Sequence, residues 1–217
     1  MKYEIISTGS KGNAVIFNDI VMIDCGVSFK ALREVYTKIG IVLLTHIHGD
    51  HFKKTTIRRL AKERPTLRFG CCEWLVKPLL QLGVDKKNID VLEIDVIYDY
   101  RTFRISPVML YHDVQNCGYR LYFGKEKAIY ITDTSTVEGI DAENYDLYLI
   151  EANYTDEDIQ ERIAKKEKTG EYIYERNVPD RHLSKAQADD FIYSNIGSNG
   201  MYVYLHQHEE RKVKNEI

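Results

Sequence analysis

The stretch IVLLTHIHGDH, residues 41–51, decides how the rest of the chain is read. Four apolar, mostly β-branched or leucine positions open it, a run too short for a core helix and suited to a buried strand ending at Thr45. Three histidines and an aspartate then fall within six consecutive positions starting at His46. Imidazole is the commonest metal ligand and a carboxylate the next, so this density marks a metal site. His46 and His48 lie two apart on extended backbone and project to the same side. Asp50 and His51 follow on the turn into a helix and aim at a second point a few ångströms away. Four ligands on one bend suit two metal ions better than one.

Working outward, β-type runs occupy residues 3–7, 14–17 and 21–24, and only residues 29–38 before the central strand read as a helix. Helical patterns follow at 53–63 and 73–82, then strands near 91–94, 103–105, 119–123, 128–131 and 147–150. Thr155 and Asp158 frame a helix start; that helix runs to about Lys168 and stops at Gly170, and a last helix covers residues 185–194. Two strand-rich halves with helices outside predict two β-sheets between helical layers, with strand ends converging on one edge.

A chain of 217 residues with 44% hydrophobic content is long enough for one well-buried domain, residues 1–217. Acidic residues outnumber basic ones by 33 to 30, so no global positive field draws it onto a polyanion. The N-terminus MKYEIISTGS has no charged leader followed by an apolar core, and no run approaches the roughly 18 apolar residues of a membrane span. The expectation is a cytoplasmic protein with no membrane partner. Cys25, Cys71, Cys72 and Cys117 form no CxxC spacing and read as buried free thiols.

HIHGDH resembles the signature of the metallo-β-lactamase superfamily, whose αββα sandwich agrees with the layers read above. The resemblance extends over nearly the whole chain. Ile23-Asp24-Cys25-Gly26 looks like the family's first motif, an aspartate and glycine beside the metal cleft. Tyr111-His112-Asp113 resembles the third, where a histidine completes the first metal. Ile131-Thr132-Asp133-Thr134 resembles the fourth, whose aspartate bridges both ions, and Tyr204-Leu205-His206 the fifth, giving the second metal its histidine. His208 lies two residues on and in phase, and is the alternative to His206. The resemblance thus implies the ligand set His46, His48, Asp50, His51, His112, Asp133 and His206 around two divalent ions, zinc or manganese. Two such ions about 3.5 to 4 Å apart share one water and bring its pKa near 7; Asp50 and Asp133 would hold the resulting hydroxide.

A fold does not fix a substrate. Ile150-Glu151-Ala152-Asn153-Tyr154 and His182-Leu183-Ser184 resemble elements of the ribonuclease Z-like and YycJ-like branches, which cleave phosphodiesters. In ribonuclease Z a histidine precedes the glutamate; here Ile150 stands there, so the full relay is not carried over. His182 would donate a proton to the departing alkoxide while Glu151 holds its ring. The glycine-serine turn of residues 7–13 also resembles the YycJ-like branch. Lys53, Lys54, Arg58, Arg59, Lys62 and Arg64 cluster on one predicted helix, a pattern that is usually just a solvated face. Without a long exosite arm or an inserted domain, the layout is similar to compact phage phosphodiesterases of the anti-Pycsar type, which implies a 3′,5′-cyclic mononucleotide substrate. A YycJ-like DNA exonuclease or an RNA-processing nuclease is the alternative; a thioesterase, or a metal-binding protein without turnover such as an iron sensor, comes after these.

Residues 155–183 form a charged helix and a tyrosine-rich arm. Tyr172 and Tyr174 alternate as on an exposed ribbon. One reading has the arm cross to a second subunit of a homodimer and stack a tyrosine on the substrate base; the other packs it on its own domain.

Overall fold

Side chains that alternate along a strand bury both faces only if something covers each of them, and that requirement organises this chain. The computed structural model describes residues 1–207. Strands Tyr3–Ser7 (β1), Ala14–Phe17 (β2), Val21–Ile23 (β3), Ile41–Leu44 (β4), Arg68–Cys71 (β5) and Ile89–Val91 (β6) form one sheet in sequence order. The second sheet is built from Tyr98–Asp99 (β7), Arg104–Tyr111 (β8), Gln115–Phe123 (β9), Glu126–Ile131 (β10), Leu147–Glu151 (β11) and Met201–Leu205 (β12), in the order β12-β11-β10-β9-β8-β7.

In β4, Ile41 and Leu43 face the second sheet and pack with Tyr119, Tyr130 and Leu147. Val42 and Leu44 face outward onto Ile57 and Leu60 of helix Lys54–Glu63 (α1) and Leu79 of helix Val76–Gln81 (α2). Ile129, Ile131, Tyr148 and Ile150 of the second sheet meet Ala188, Phe191 and Ile192 of helix Lys185–Asn195, which is α4 once Asp156–Thr169 is counted as α3. The product is helix, sheet, sheet, helix: the expected αββα sandwich. Truncating a side chain such as Leu43 in the middle layer to alanine costs about 2–5 kcal/mol. No helix among the described residues is long and apolar enough to cross a membrane.

The pairings β3/β4/β5 and β10/β11/β12 are parallel. Their carboxyl ends therefore leave the sandwich along one edge, where Asp24, Thr45, Asp133 and His206 emerge; crevices at such ends are where open sheets bind ligands. Asp24, Asp133 and His206 all have positive φ, at 60°, 51° and 49°. L-residues adopt that left-handed conformation at a cost, and here it turns the chain so that the next side chain is re-aimed across the edge.

Several expectations shift in the structure. Residues 29–38 do not form an α-helix: a 3-10 turn at Phe29–Leu32 is followed by further turns. Ser28 makes no side-chain cap, and β-branched Val35 and Thr37 weaken the winding. The carbonyls of Tyr36 and Ile39 are taken instead by Arg64. Strand β5 is missed because Gly70 interrupts its apolar pattern; a Cβ there would sit 2.7 Å from Leu43 Cδ2, a leucine tip that can shift, so the glycine eases the packing of β5 beside β4. Residues 172–177 form no ribbon: the arm turns as a 3-10 segment, Tyr174–Asn177, closed onto α3 by Glu175, whose carboxylate is buried against Lys166 at 2.8 Å.

Candidate metal centre

Three loops must meet for the motif at residues 46–51 to face the sheet ends, and the backbone stitches them together. Cys25 N–H donates to the His51 carbonyl, Lys53 N–H to Cys25, Asn13 N–H to Asp50 and Gly26 N–H to Asn13. Gly26 has no alternative: a Cβ would lie 1.6 Å from the Asp50 carbonyl oxygen.

Asp24 is fully buried at the centre of this junction. Its Oδ1 accepts from Thr45 N at 3.0 Å and Thr45 Oγ1 at 2.8 Å, and its Oδ2 lies 2.6 Å from His51 Nδ1. A carboxylate on Nδ1 fixes the proton there and turns Nε2 toward the cleft. His112 is oriented the same way, its Nδ1 2.9 Å from the Arg181 carbonyl. His206 Nδ1 lies 2.9 Å from the Asn153 side chain and 3.4 Å from Glu151, leaving Nε2 toward Asp50 and Asp133 at 3.7 and 3.6 Å.

All nine expected site residues come together, in three overlapping groups. His46, His48, His112 and Asp133 can each offer one ligand atom within 4.8 Å of the others. Asp50, His51, Asp133 and His206 do the same, as do Asp133, Glu151, His182 and His206. Asp133 belongs to all three groups: its Oδ2 is 3.2 Å from His46 Nε2 and 3.0 Å from His51 Nε2. His208 lies outside the described residues.

Nε2 of His46 and Nε2 of His206 are buried, and the Asp133 oxygens 3.2 and 3.6 Å away make no well-directed hydrogen bond to either. Buried ring nitrogens are rarely left so. Neutral imidazoles and carboxylates are the donor set for a divalent ion such as zinc, so the residues present fit a metal pair.

The electrostatics agree. Burial disfavours a charged His51 ring, but Asp133 and Asp24 outweigh it and raise its pKa well above the usual value. Burial opposes the charge on His206 too, yet Asp133, Asp50 and Glu151 push it up to about 10. His46, buried and next to the charged His51, is shifted down. Asp133 is buried, but His51 and His206 hold it well below the carboxylate range.

Glu151 is also fully buried. Its Oε2 accepts from Thr134 N at 3.1 Å, and its Oε1 lies 2.5 Å from His182 Nδ1. Burial works against both charges; the contact prevails, raising the His182 pKa and lowering that of Glu151. His182 is placed by the turn before α4, where Ser184, not His182, supplies the helix cap.

Sequence reading passed over three residues here. Asp113 lies 3.4 Å from His48 Nε2, 3.2 Å from His112 Nε2 and 3.0 Å from Arg181 Nη1. Its place directly after His112 was the available signal. Asn13 Nδ2 sits 2.8 Å from His51 Nε2, and Asn153 reaches His206; both lie in stretches that the sequence marks, the turn of residues 7–13 and the element of residues 150–154, without a role of their own.

The model of the beta-lactamase superfamily domain matches residues 20–182, well over half of the chain and most of this junction. The chain belongs to the metallo-β-lactamase superfamily. Superfamily members of known structure share its fold at low identity. YhfI, a metallo-beta-lactamase fold protein from Bacillus subtilis, superposes with a TM-score of 0.73 at 18% identity, over 96% of this chain and 86% of that one. The short form of human tRNase Z gives 0.72 at 16%, over 96% and 93%. A diphosphatase from the PhnP family gives 0.63 at 14%, over 94% and 85%. Among curated proteins none matches the sequence.

Proposed function

We propose that this superfamily member is a dinuclear-metal-dependent phosphodiesterase acting on small nucleotides, with 3′,5′-cyclic mononucleotides as its substrates. The observation that carries the reading is the pair His182 and Glu151, 2.5 Å apart at the edge of the metal-ligand clusters. Hydrolysis of a phosphodiester forms one P–O bond to water and breaks one to the ester oxygen, which departs as an alkoxide, a poor leaving group that needs a proton in the transition state. His182 lines a cavity that opens beside His206, so its ring reaches the space where a departing oxygen would be. Glu151, fixed by Thr134 N, holds that ring and favours its protonated form.

The two groups sharing Asp133 would hold the metals: His46, His48 and His112 on one side, Asp50, His51 and His206 on the other. When bound, a divalent pair supplies Lewis acidity and water acidified toward neutral pH. The remaining work falls to the protein. Asp24 keeps the His51 ring in the ligating tautomer, Asp50 and Asp133 accept protons and orient the incoming water, and His182 supplies the proton to the leaving oxygen.

The size of the adjoining cavity, about 440 Å³, supports a single nucleotide. The basic cluster on α1 gives little support to a polymer track: Arg59 pairs with Glu63 and lies over the Phe29 ring, and Arg64 binds backbone carbonyls. The second reading is a DNA or RNA nuclease, which the fold of tRNase Z accommodates equally well.

The test is hydrolysis of 3′,5′-cyclic mononucleotides beside linear single- and double-stranded DNA and RNA, with zinc or manganese, and with Asp50→Ala as control. Ring opening with polymers untouched is the expected result. Stepwise loss of polymer with cyclic substrates intact would replace this reading with the nuclease one.

A further inference from the structure

The cavity beside His182 and His206 has one wall on α3 and another on the turn that follows it. Among the described residues that line it there is no carboxylate. Asn153 and Gln207 bring amides to it, and Tyr172 and Tyr174 bring rings. Tyr172 leaves 80% of its surface exposed, so the fold makes little use of that ring.

Arg162 stands in the wall that this cavity shares with a neighbouring one of about 420 Å³. Its Nε donates to the Asp158 carbonyl at 3.3 Å, but its Nη2 is buried with no hydrogen-bond partner among the described residues. Glu175 is near enough to feel the charge, yet both Glu175 oxygens are taken by Lys166, at 2.8 and 2.9 Å. Arg181, the other arginine lining the cavity, is committed to Asp113 at 3.0 Å. A guanidinium held in a wall with donors unspent is destabilising until an acceptor arrives.

We propose that this cavity receives the nucleobase of a substrate whose phosphate lies at the metal centre, and that Arg162 selects bases carrying ring carbonyls. The inference rests on the nucleotide reading above. A guanidinium donates in its plane to a carbonyl and a ring nitrogen side by side, the pattern guanine presents, and it can donate a single hydrogen bond to a carbonyl of uracil. Adenine offers an amino group on the corresponding edge, donor against donor. Tyr172 supplies an unoccupied face for stacking, which is tolerant of base identity, so the choice falls to Arg162. A second phosphate in the same place would call for several uncommitted cations. Arg181 is held by Asp113 and His182 by Glu151, which leaves Arg162 as the lining guanidinium without a paired carboxylate, beside amides and phenol rings that suit a neutral heterocycle.

The experiment is calorimetric binding to the zinc-loaded full chain, with GMP, UMP, AMP, ribose 5-phosphate and pyrophosphate as probes. GMP and UMP should bind about tenfold more tightly than AMP, with ribose 5-phosphate weakest. Arg162→Ala should bring GMP and UMP down to AMP, and Arg162→Lys, which keeps the charge but loses the planar pair of donors, should retain less than half of the discrimination. Equal binding of AMP and GMP by the unaltered protein, or a preference that survives Arg162→Ala, would overturn the proposal. So would pyrophosphate binding more tightly than GMP in an Arg162-dependent way, which would assign the cavity to a second anion. Hydrolysis of bis(p-nitrophenyl) phosphate, which has no base, is read in parallel: if it fails while the base preference stands, the phosphodiesterase reading falls and this one does not.

Discussion

Replacing Asp24 by asparagine tests whether the metal centre is set from beneath. The carboxylate accepts three short contacts, from Thr45 N, Thr45 Oγ1 and His51 Nδ1, at 3.0, 2.8 and 2.6 Å. An asparagine oxygen can keep both Thr45 contacts, but its amide nitrogen then faces His51 Nδ1, and two donors cannot share that line. The His51 proton must move to Nε2, the atom that points to Asp133 at 3.0 Å, and a protonated nitrogen cannot ligate. Losing such an orienting partner costs about 10–100-fold in metal affinity, or about 1.4–2.8 kcal/mol. The fold should survive, because both Thr45 contacts remain and the substitution is isosteric. The assay is zinc competition against a chromophoric chelator, with far-ultraviolet circular dichroism as the fold check. Native-like affinity for both equivalents of zinc in Asp24→Asn would refute the claim that the tautomer of His51 is set by Asp24.

Other outcomes follow from the same geometry. Neighbouring carboxylates raise the pKa values of His51 and His206 in the metal-free protein, that of His206 to about 10. Ligands must be neutral, so metal loading should release protons and affinity should rise with pH; calorimetry in buffers of different ionisation enthalpy counts the protons, and a pH-independent affinity would contradict the assignment. His182→Ala should lower kcat on cyclic nucleotides by about 10²–10⁴-fold while leaving bound metal unchanged. On bis(p-nitrophenyl) phosphate, whose leaving group needs no proton, the same variant should lose far less, and an equal loss on both substrates would argue against proton donation. Lys166→Met strands the buried Glu175 carboxylate and should cost about 2 kcal/mol in urea denaturation near pH 7. Burial opposes the Glu175 charge but Lys166 outweighs it and lowers the pKa, so this contribution is present above about pH 4.5 and fades as pH falls through the lowered value; a variant difference that persisted undiminished at pH 3 would count against it.

The sandwich and the ligand cluster were legible because both write themselves into local pattern. β4 is four consecutive apolar residues followed at once by the histidines, and the later motifs each sit directly after an apolar run. What escaped the sequence depends on contacts between distant segments. β5 is visible only in its ladders with β4 and β6, and residues 29–38 lose their helix to turns that no periodicity reveals, two of their carbonyls going to the Arg64 guanidinium. The tyrosines of the arm alternate as a strand would, but Lys166 holds Glu175 and lies 4.0 Å over the Tyr174 ring, and the chain coils around that charge instead. Asp113 and Asn13 sit inside marked stretches and Arg162 on a charged helix, but the role of each depends on what the fold places next to it.

The stitched backbone of residues 13, 24–26 and 50–53 also divides the molecule by its tolerance for change. With Gly26 seated against the Asp50 carbonyl and three loops sharing their amide bonds, a substitution that shifts one loop shifts all of them, and the ligands with them. The arm is tied to the centre at its far end, through the Arg181 carbonyl on His112 and the His182 ring on Glu151. New specificities in this scaffold should therefore arise by rewriting residues between Ile159 and Val178, where length and composition can vary while the chemistry stays in register. A library confined to that stretch would keep metal loading in most of its members, whereas one spread over the three loops would lose it in most.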